Sequence, residues 1–462
     1  MSGDQPETSR DRSASPSIMN PAWPLIRHDR LDAIVAIRKG QPVSAARFLH
    51  DTAALAALLP ARRNVLNLCA DRYRFTVGLA AALCREQISL LPPNDTPGLL
   101  SEIATDYPDL YCLTDVTAPI ASIPSMTYPD DLDERRTESA PPAFPATQRA
   151  LLLFTSGSTG RPKPSIKSWG ALLRSARAAG SRLGVRSLAN ATVIGTVPHQ
   201  HSYGLESTVL LPLQHGLAMQ AERPFYPADV RACLDAVPRP RILVTTPIHI
   251  RALLAEADEL PAADLLISAT APLARELALE AEARFRAPLL EIYGCSEAGQ
   301  LAVRRTAHSV EWSCLDGVTL RQDEHGTWAS GEPVETATLL QDFIELSGPD
   351  RFLLHGRMAD LVNIAGKRTS LAYLNHQLNS IEGVRDAVFL MPEEDGERVS
   401  RLVAFVVAPE VAPETILGAL RRRIDAAFLP RPLLFVSSLP RNALGKVPRD
   451  ALLRLISAHG SE

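Results

Sequence analysis

Short apolar runs alternate with helix-patterned stretches along most of this 462-residue chain, and that alternation limits the fold more than any other feature. Asn64–Cys69 and Ile88–Pro93 read as strands on either side of a helix over Tyr73–Glu86. Ala191–Val197, Arg241–Thr246, Asp264–Ala269 and Pro288–Tyr293 read as further strands with helical stretches between them. Short apolar strands joined through helices bury both faces of a parallel sheet. The expectation is an α/β chain with parallel-rich sheets flanked by helices. From Asp360 the pattern shifts to a smaller α+β unit, with strands at "DAVFLM", "RLVAFVVA" and "PLLFVSSL" and a helix at "ETILGALRRRIDAAF". This suggests a disordered tail over 1–18, a large domain over 19–357 and a mobile small domain over 358–462. The Pro-, Asp- and Ser-rich stretch Thr114–Thr147 is expected to cross the surface.

In open α/β sheets, ligands bind beyond the carboxyl ends of the strands. There this sequence turns small and polar: "PHQHSYG" (Pro198–Gly204), "TAPL" (Thr270–Leu273) and "GCSEAG" (Gly294–Gly299) each follow a strand. A fourth stretch is "LLLFTSGSTGRPK", where apolar Leu151–Phe154 feeds Thr155, Ser156, Gly157, Ser158, Thr159 and Gly160, with Lys163 close behind. Glycines allow a tight turn and close approach to a ligand. Successive N–H groups in such a turn form an anion-holding concavity. Two familiar phosphate loops are excluded: Pro162 breaks G-x-x-x-x-G-K-[ST], and the spacing of Gly157 and Gly160 breaks G-x-G-x-x-G. A Ser/Gly linker is the competing reading, but linkers seldom follow directly on a buried strand.

Composition narrows the class. A hydrophobic share of 46% supports a sizeable core, and 48 basic against 52 acidic residues gives no polycationic surface for nucleic acid. Six cysteines without a C-x-x-C pair argue against a zinc site or a disulfide framework. No apolar run approaches the roughly 18 residues of a membrane span. The polar opening lacks a signal peptide's apolar stretch, so a cytoplasmic protein is expected.

Six ordered motifs together resemble the adenylate-forming superfamily of acyl-CoA synthetases, luciferases and nonribosomal-peptide adenylation domains. They are "TSGSTGRPK" (Thr155–Lys163), "PHQHSYG", "SATAPL" (Ser268–Leu273), "YGCSEAG" (Tyr293–Gly299), Asp342 fifteen residues before Arg357, and "LPRNALGKVPRDAL" (Leu439–Leu452). The resemblance implies a mechanism: a carboxylate attacks the α-phosphate of ATP, and a thiol then displaces AMP. It assigns the β- and γ-phosphates to Thr155–Gly160 and Lys163, the α-phosphate to Ser296, and Mg²⁺ to Glu297. Adenine falls to Ala269, Ala271, Pro272, Tyr293 and Gly294, and the ribose hydroxyls to Asp342, with Arg357 completing the ATP site. Lys446, His201 and Arg357 become the catalytic set. His201, Ser202, Ser268, Ala269 and Thr270 line the acyl pocket, and Gly366, Lys367 and Arg368 border the thiol tunnel. The hinge position falls on Ala359, where the family usually has Asp or Lys. His199 is expected to be structural, since H-x-H without a third ligand is a weak metal signal.

The chain's compactness, the segment Asn67–Asp95 and the short stretch from Tyr293 to Asp342 resemble the stand-alone ligases of aryl-polyene pigment clusters. That implies an aryl acid such as 3-hydroxybenzoate and a holo acyl carrier protein as acceptor, with "RRR" (Arg421–Arg423) as a docking face or merely a solvated helix face. Free CoA as acceptor is the alternative. Two other classes stay open: a non-catalytic adenylate-binding protein, and a serine hydrolase, against which Ala298 breaks G-x-S-x-G.

Overall fold

The computed structural model describes residues 21–116, 123–132, 140–155, 163–256, 259–357, 361–364, 367–392, 401–441 and 447–459. The tail over 1–18 lies outside them.

Two sheets carry the large N-terminal part. The first has six strands, with Asn64–Asn67, Ile88–Leu91, Leu110–Thr114 and Arg149–Thr155 running parallel. The second has eleven strands, built around the parallel run Thr192–Gly195, Arg241–Thr245, Leu265–Ser268 and Leu289–Cys295. Most residues of these central strands are buried, because helices cover the sheets. Helix Arg72–Cys84 shows the cause: Asp71 caps it through the Arg74 N–H, and it buries most of its length, Phe75, Val77 and Leu79 included. Antiparallel strands Gly299–Arg304, Glu311–Cys314, Arg351–Arg357 and Asp342–Leu346 extend the second sheet. The short stretch between Tyr293 and Asp342 still holds a three-stranded sheet over Val318–Leu339.

One strand carries no signal in the sequence, and two expectations need correction. Strand Lys163–Ser168 returns antiparallel along Arg149–Thr155 before helix Trp169–Arg182 begins. Its mixed small and charged residues gave no apolar run to read. Thr114–Thr147 is not simply a surface crossing: strand Ser125–Thr127 extends the first sheet, Ala143–Pro145 pairs with Ala22–Pro24, and Ile123, Tyr128, Leu132 and Phe144 are buried. The helix expected to run to Phe428 stops at Arg421, and Asp425 caps a separate short turn, Ala426–Phe428.

In the C-terminal part, strands Asp386–Leu390, Val403–Val407 and Leu433–Phe435 form a sheet backed by helices Leu371–Asn379 and Pro413–Arg421. Asn379 and Asn375 dock the first helix by hydrogen-bonding the backbone of Ala387 and Phe389.

Candidate active site

The four central parallel strands named above all end on one edge of the second sheet, and the candidate stretches leave from that edge. Pro198–Gly204 follows Thr192–Gly195, Ala269–Leu273 follows Leu265–Ser268, and the turn at Ser296–Ala298 joins Leu289–Cys295 to Gly299–Arg304.

Each stretch is fixed by identifiable contacts. The His199 ring donates from Nε2 to the Cys69 carbonyl at 2.9 Å, and Gln200 donates to the same oxygen at 3.0 Å. His199 is 1% exposed and packs against Phe75. Burial pushes its pKa down to about 3, with the Arg72 guanidinium adding to the effect. A neutral, buried imidazole held this way is part of the wall. His201 next to it is half-buried and begins the short helix Ser202–Leu205. The Tyr203 hydroxyl stands 3.0 Å from the carbonyls of both Thr245 and Ile267, bridging two strand ends.

In the second stretch Thr270 has φ +80°, a region costly for a β-branched residue. Glu291, 4% exposed, anchors the end of this stretch: Oε1 accepts from the Leu273 N–H at 3.2 Å while Oε2 binds Arg304 and Thr306. The hydroxyl oxygens of Ser268 and Thr270 are buried without a hydrogen-bond partner. Two unmatched buried hydroxyls here suit a ligand that brings its own polar atoms.

In the third, Tyr293 packs its ring against Trp312 and Phe352, is 8% exposed, and donates to Asp342 at 2.7 Å. Asp342 lies directly opposite Arg357 in the antiparallel hairpin, so their fifteen-residue spacing becomes a cross-strand pair. Gly294 stands at a close approach, since a Cβ there would lie 2.2 Å from the Gly299 carbonyl. Ser296 is half-buried and Glu297 exposed. An exposed carboxylate on a turn at the strand ends is a hard oxygen donor that fits Mg²⁺ shared with phosphate oxygens.

The structure thus brings His201, Ser202, Ser268, Ala269, Thr270, Ala271, Pro272, Tyr293, Gly294, Ser296, Glu297 and Asp342 to one edge. Ser156–Gly160, Ala359, Gly366 and Lys446 lie outside the described residues, as do the side chains of Thr155, Lys163, Arg357, Lys367 and Arg368. The loop after Thr155 joins two paired strands. Lys367 and Arg368 open a strand paired with Leu361–Ile364. Arg441, just ahead of the segment that holds Lys446, is bidentate on Asp386 at 2.6 and 2.9 Å.

Sequence reading missed Lys167 and Glu206, both buried beside these stretches, and Tyr203 and Glu291, which hold them in place. Glu206 was findable as a charge inside an otherwise small and apolar segment; Lys167, close to Arg161 and Lys163, was not.

A family model described as AMP-binding enzyme matches residues 78–324, more than half of the chain. The chain belongs to the AMP-binding enzymes, the adenylate-forming superfamily. A 4-coumarate–CoA ligase of Rhodobacter capsulatus is 30% identical over 320 residues, 68% of this chain and 77% of that protein. A 4-hydroxybenzoate–CoA/benzoate–CoA ligase of Rhodopseudomonas palustris is 25% identical over 452 residues, 88% of this chain and 81% of that one. The fold matches ATP-bound MatB from Rhodopseudomonas palustris, with TM-score 0.80 and 19% identity over 93% of this chain and 97% of that one. It also matches o-succinylbenzoate CoA synthetase (MenE) from Bacillus subtilis, with TM-score 0.78 and 18% identity over 91% and 95%. Among the described residues, no helix is long and apolar enough to cross a membrane.

Proposed function

We propose that this AMP-binding enzyme is an AMP-forming acid–thiol ligase acting on an aryl carboxylic acid. The observation that carries the reading is the gathering of His201–Ser202, Ser268–Pro272, Tyr293–Glu297 and Asp342 on one sheet edge. The aryl-acid relatives support the substrate class.

In this reading the acid lies against His201, Ser202 and Ser268–Thr270, and its carboxylate oxygen attacks the α-phosphate of ATP and releases pyrophosphate. Asp342 accepts from the ribose hydroxyls, Ala269–Pro272, Tyr293 and Gly294 border the adenine, and Ser296 meets the α-phosphate. The loop from Thr155 to Lys163 grips the outer phosphates. Mg²⁺ at Glu297 would offset phosphate charge. Lys446 and Arg357 steady the negative charge that crowds around the α-phosphate, the kind of stabilisation that supplies most of such rate enhancements. The small domain from 358 then turns about Ala359, so that Gly366–Arg368 borders the thiol's path and His201 admits the thiol, which displaces AMP.

The favoured acid is 3-hydroxybenzoate and the favoured acceptor a holo acyl carrier protein, as in aryl-polyene pigment (xanthomonadin) biosynthesis. The likeness to stand-alone ligases of those clusters supports this. The second reading, free CoA as acceptor, is favoured by the relatives named as CoA ligases. Carboxylate-dependent pyrophosphate exchange across benzoates, cinnamates and fatty acids tests the first half-reaction, and activity with fatty acids alone defeats the aryl assignment. Thioester yield from carrier protein and CoA at matched thiol concentration decides the acceptor. Lys446→Ala should abolish exchange yet spare thioester formation from supplied acyl-adenylate, and Gly366→Leu should do the reverse.

A further inference from the structure

Strand Lys163–Ser168 buries the charge of Lys167. Lys167 is 4% exposed, and its ammonium donates to the backbone carbonyl of Glu297. It therefore holds, from outside, the turn that carries Ser296 and Glu297. Glu206, 3% exposed, is the carboxylate that acts most strongly on that ammonium. Its own oxygens are filled. Oε1 accepts from Ser202 at 2.7 Å, and Oε2 accepts from Ser175 at 3.0 Å and from the Gln300 N–H at 3.3 Å. Gln300 in turn donates to Ser207 at 2.9 Å. Glu206 also opens a π-helical turn, Glu206–Leu210, a local widening that recurs at functional sites.

Burying an ammonium is a poor way to gain stability, because leaving water costs the charged form, and burial lowers the pKa of Lys167 accordingly. What it supplies here is position. One connected set of contacts runs from Ser202 through Glu206 to Gln300, beyond the turn, while Lys167 grips the turn itself at Glu297.

We propose that Lys167 is a positioning residue for nucleotide binding: it fixes the Ser296–Glu297 turn through the Glu297 carbonyl, beside the contacts that Glu206 makes to Ser202 and Gln300. The inference rests on the adenylate-forming reading of the site. Lys167 acts through the Glu297 backbone and touches no reacting atom, so its removal lowers affinity for the nucleotide more than it alters the acid pocket.

The test is calorimetric binding of a non-hydrolysable ATP analogue with Mg²⁺, without acid, alongside thermal unfolding of the ligand-free protein. Lys167→Met should weaken binding roughly tenfold or more, the scale of one hydrogen bond to a charged group. Lys167→Arg should recover part of it, and Glu206→Gln should weaken it while preserving shape. The double variant Lys167→Met/Glu206→Gln, neutral on both sides, should regain melting temperature relative to Lys167→Met but not affinity. It keeps the proposal testable if Lys167→Met fails to fold. Wild-type affinity in the double variant would overturn the proposal, because Lys167 would then matter for stability alone. A wild-type protein that bound no nucleotide would overturn the reading of the site as well.

Discussion

The hydroxyl of Tyr293 donates to Oδ2 of Asp342 at 2.7 Å, joining the end of a parallel core strand to the first residue of the hairpin that ends at Arg357. The bond holds one carboxylate oxygen of Asp342 in place. Tyr293→Phe should therefore keep the aromatic packing on Trp312 and Phe352 but loosen Asp342. The expected result is a rise of about fivefold in KM for ATP in pyrophosphate exchange, the worth of one ordinary hydrogen bond. Asp342→Ala should raise it much further. An unchanged KM in both variants would remove Asp342 from the ribose site.

Gly204 closes the Pro198–Gly204 stretch for a steric reason. A Cβ there would lie 1.9 Å from the Pro198 carbonyl oxygen, which is backbone and cannot swing aside. Gly204→Ala should destabilise the protein by about 2 kcal/mol or more, in the range of forced overpacking. Lower urea midpoints and lost exchange activity should appear together, because the same shift moves His201.

The parts of the fold that could be read from sequence are those whose signal is local. Leu265–Ser268 and Arg241–Thr245 are apolar runs, and apolar runs flanked by polar turns declare buried strands. The motif residues declared themselves by spacing, and Asp342 and Arg357 meet because a hairpin turns their separation into register. What stayed hidden depends on contacts far apart in the chain. Strand Lys163–Ser168 has no apolar run, and only pairing with Arg149–Thr155 defines it. Lys167 looks like a surface amine until the fold brings Glu297 over it, some 130 positions away. The interruption at Arg421 is set by Asp425, whose side chain caps the next turn in place of a continued helix.

His199 should leave a mark on acid stability. Its pKa is about 3 in the folded protein, against 6.5 as the reference value for the unfolded chain. Between those values the unfolded chain binds a proton that the folded one refuses. The stability from this group is complete above about pH 6.5 and falls as pH drops toward 3, by up to about 1.4 kcal/mol per pH unit. Arg72, Arg223 and His201 all oppose the charged ring, so none of them rescues it. His199→Gln should flatten the dependence of the urea midpoint between about pH 6.5 and pH 5. An equal slope in both proteins would mean that His199 charges without cost.

Arg72 is a second load on the same wall. It is fully buried, and its guanidinium donates to the carbonyls of Gln220 at 2.5 Å and Gly195 at 2.9 Å, with longer contacts to Glu222 and Val197. Burial lowers its pKa to about 10, so it stays charged at neutral pH. It ties the helix of the first sheet to strand ends of the second. Arg72→Met should cost about 3 kcal/mol or more, because it strands buried carbonyls. Arg72→Lys should recover less than half, since one ammonium cannot replace a planar fork. Equilibrium denaturation measures both, and near-native midpoints would assign the tie elsewhere.

The arginines at 421–423 divide by role, which sharpens the test of the acceptor. Arg423 bonds Ser380 at 2.7 Å and the Gln377 carbonyl at 3.3 Å, tethering one helix of the C-terminal part to the end of another. It is a structural contact and not part of a free helix face. Arg421 ends helix Pro413–Arg421, Arg422 caps it, and both are exposed. A carrier protein with an acidic helix would be drawn to that pair in a salt-sensitive way. Arg421→Glu/Arg422→Glu should raise KM for the carrier severalfold and flatten its salt dependence. It should leave carboxylate-dependent exchange unchanged. Placing acids at a helix C-terminus also costs up to about 1 kcal/mol of stability, so Arg421→Gln/Arg422→Gln serves as the neutral comparison. If charge reversal leaves carrier KM unmoved while CoA is acylated faster than the carrier, these arginines are solvated surface and the enzyme works on free CoA.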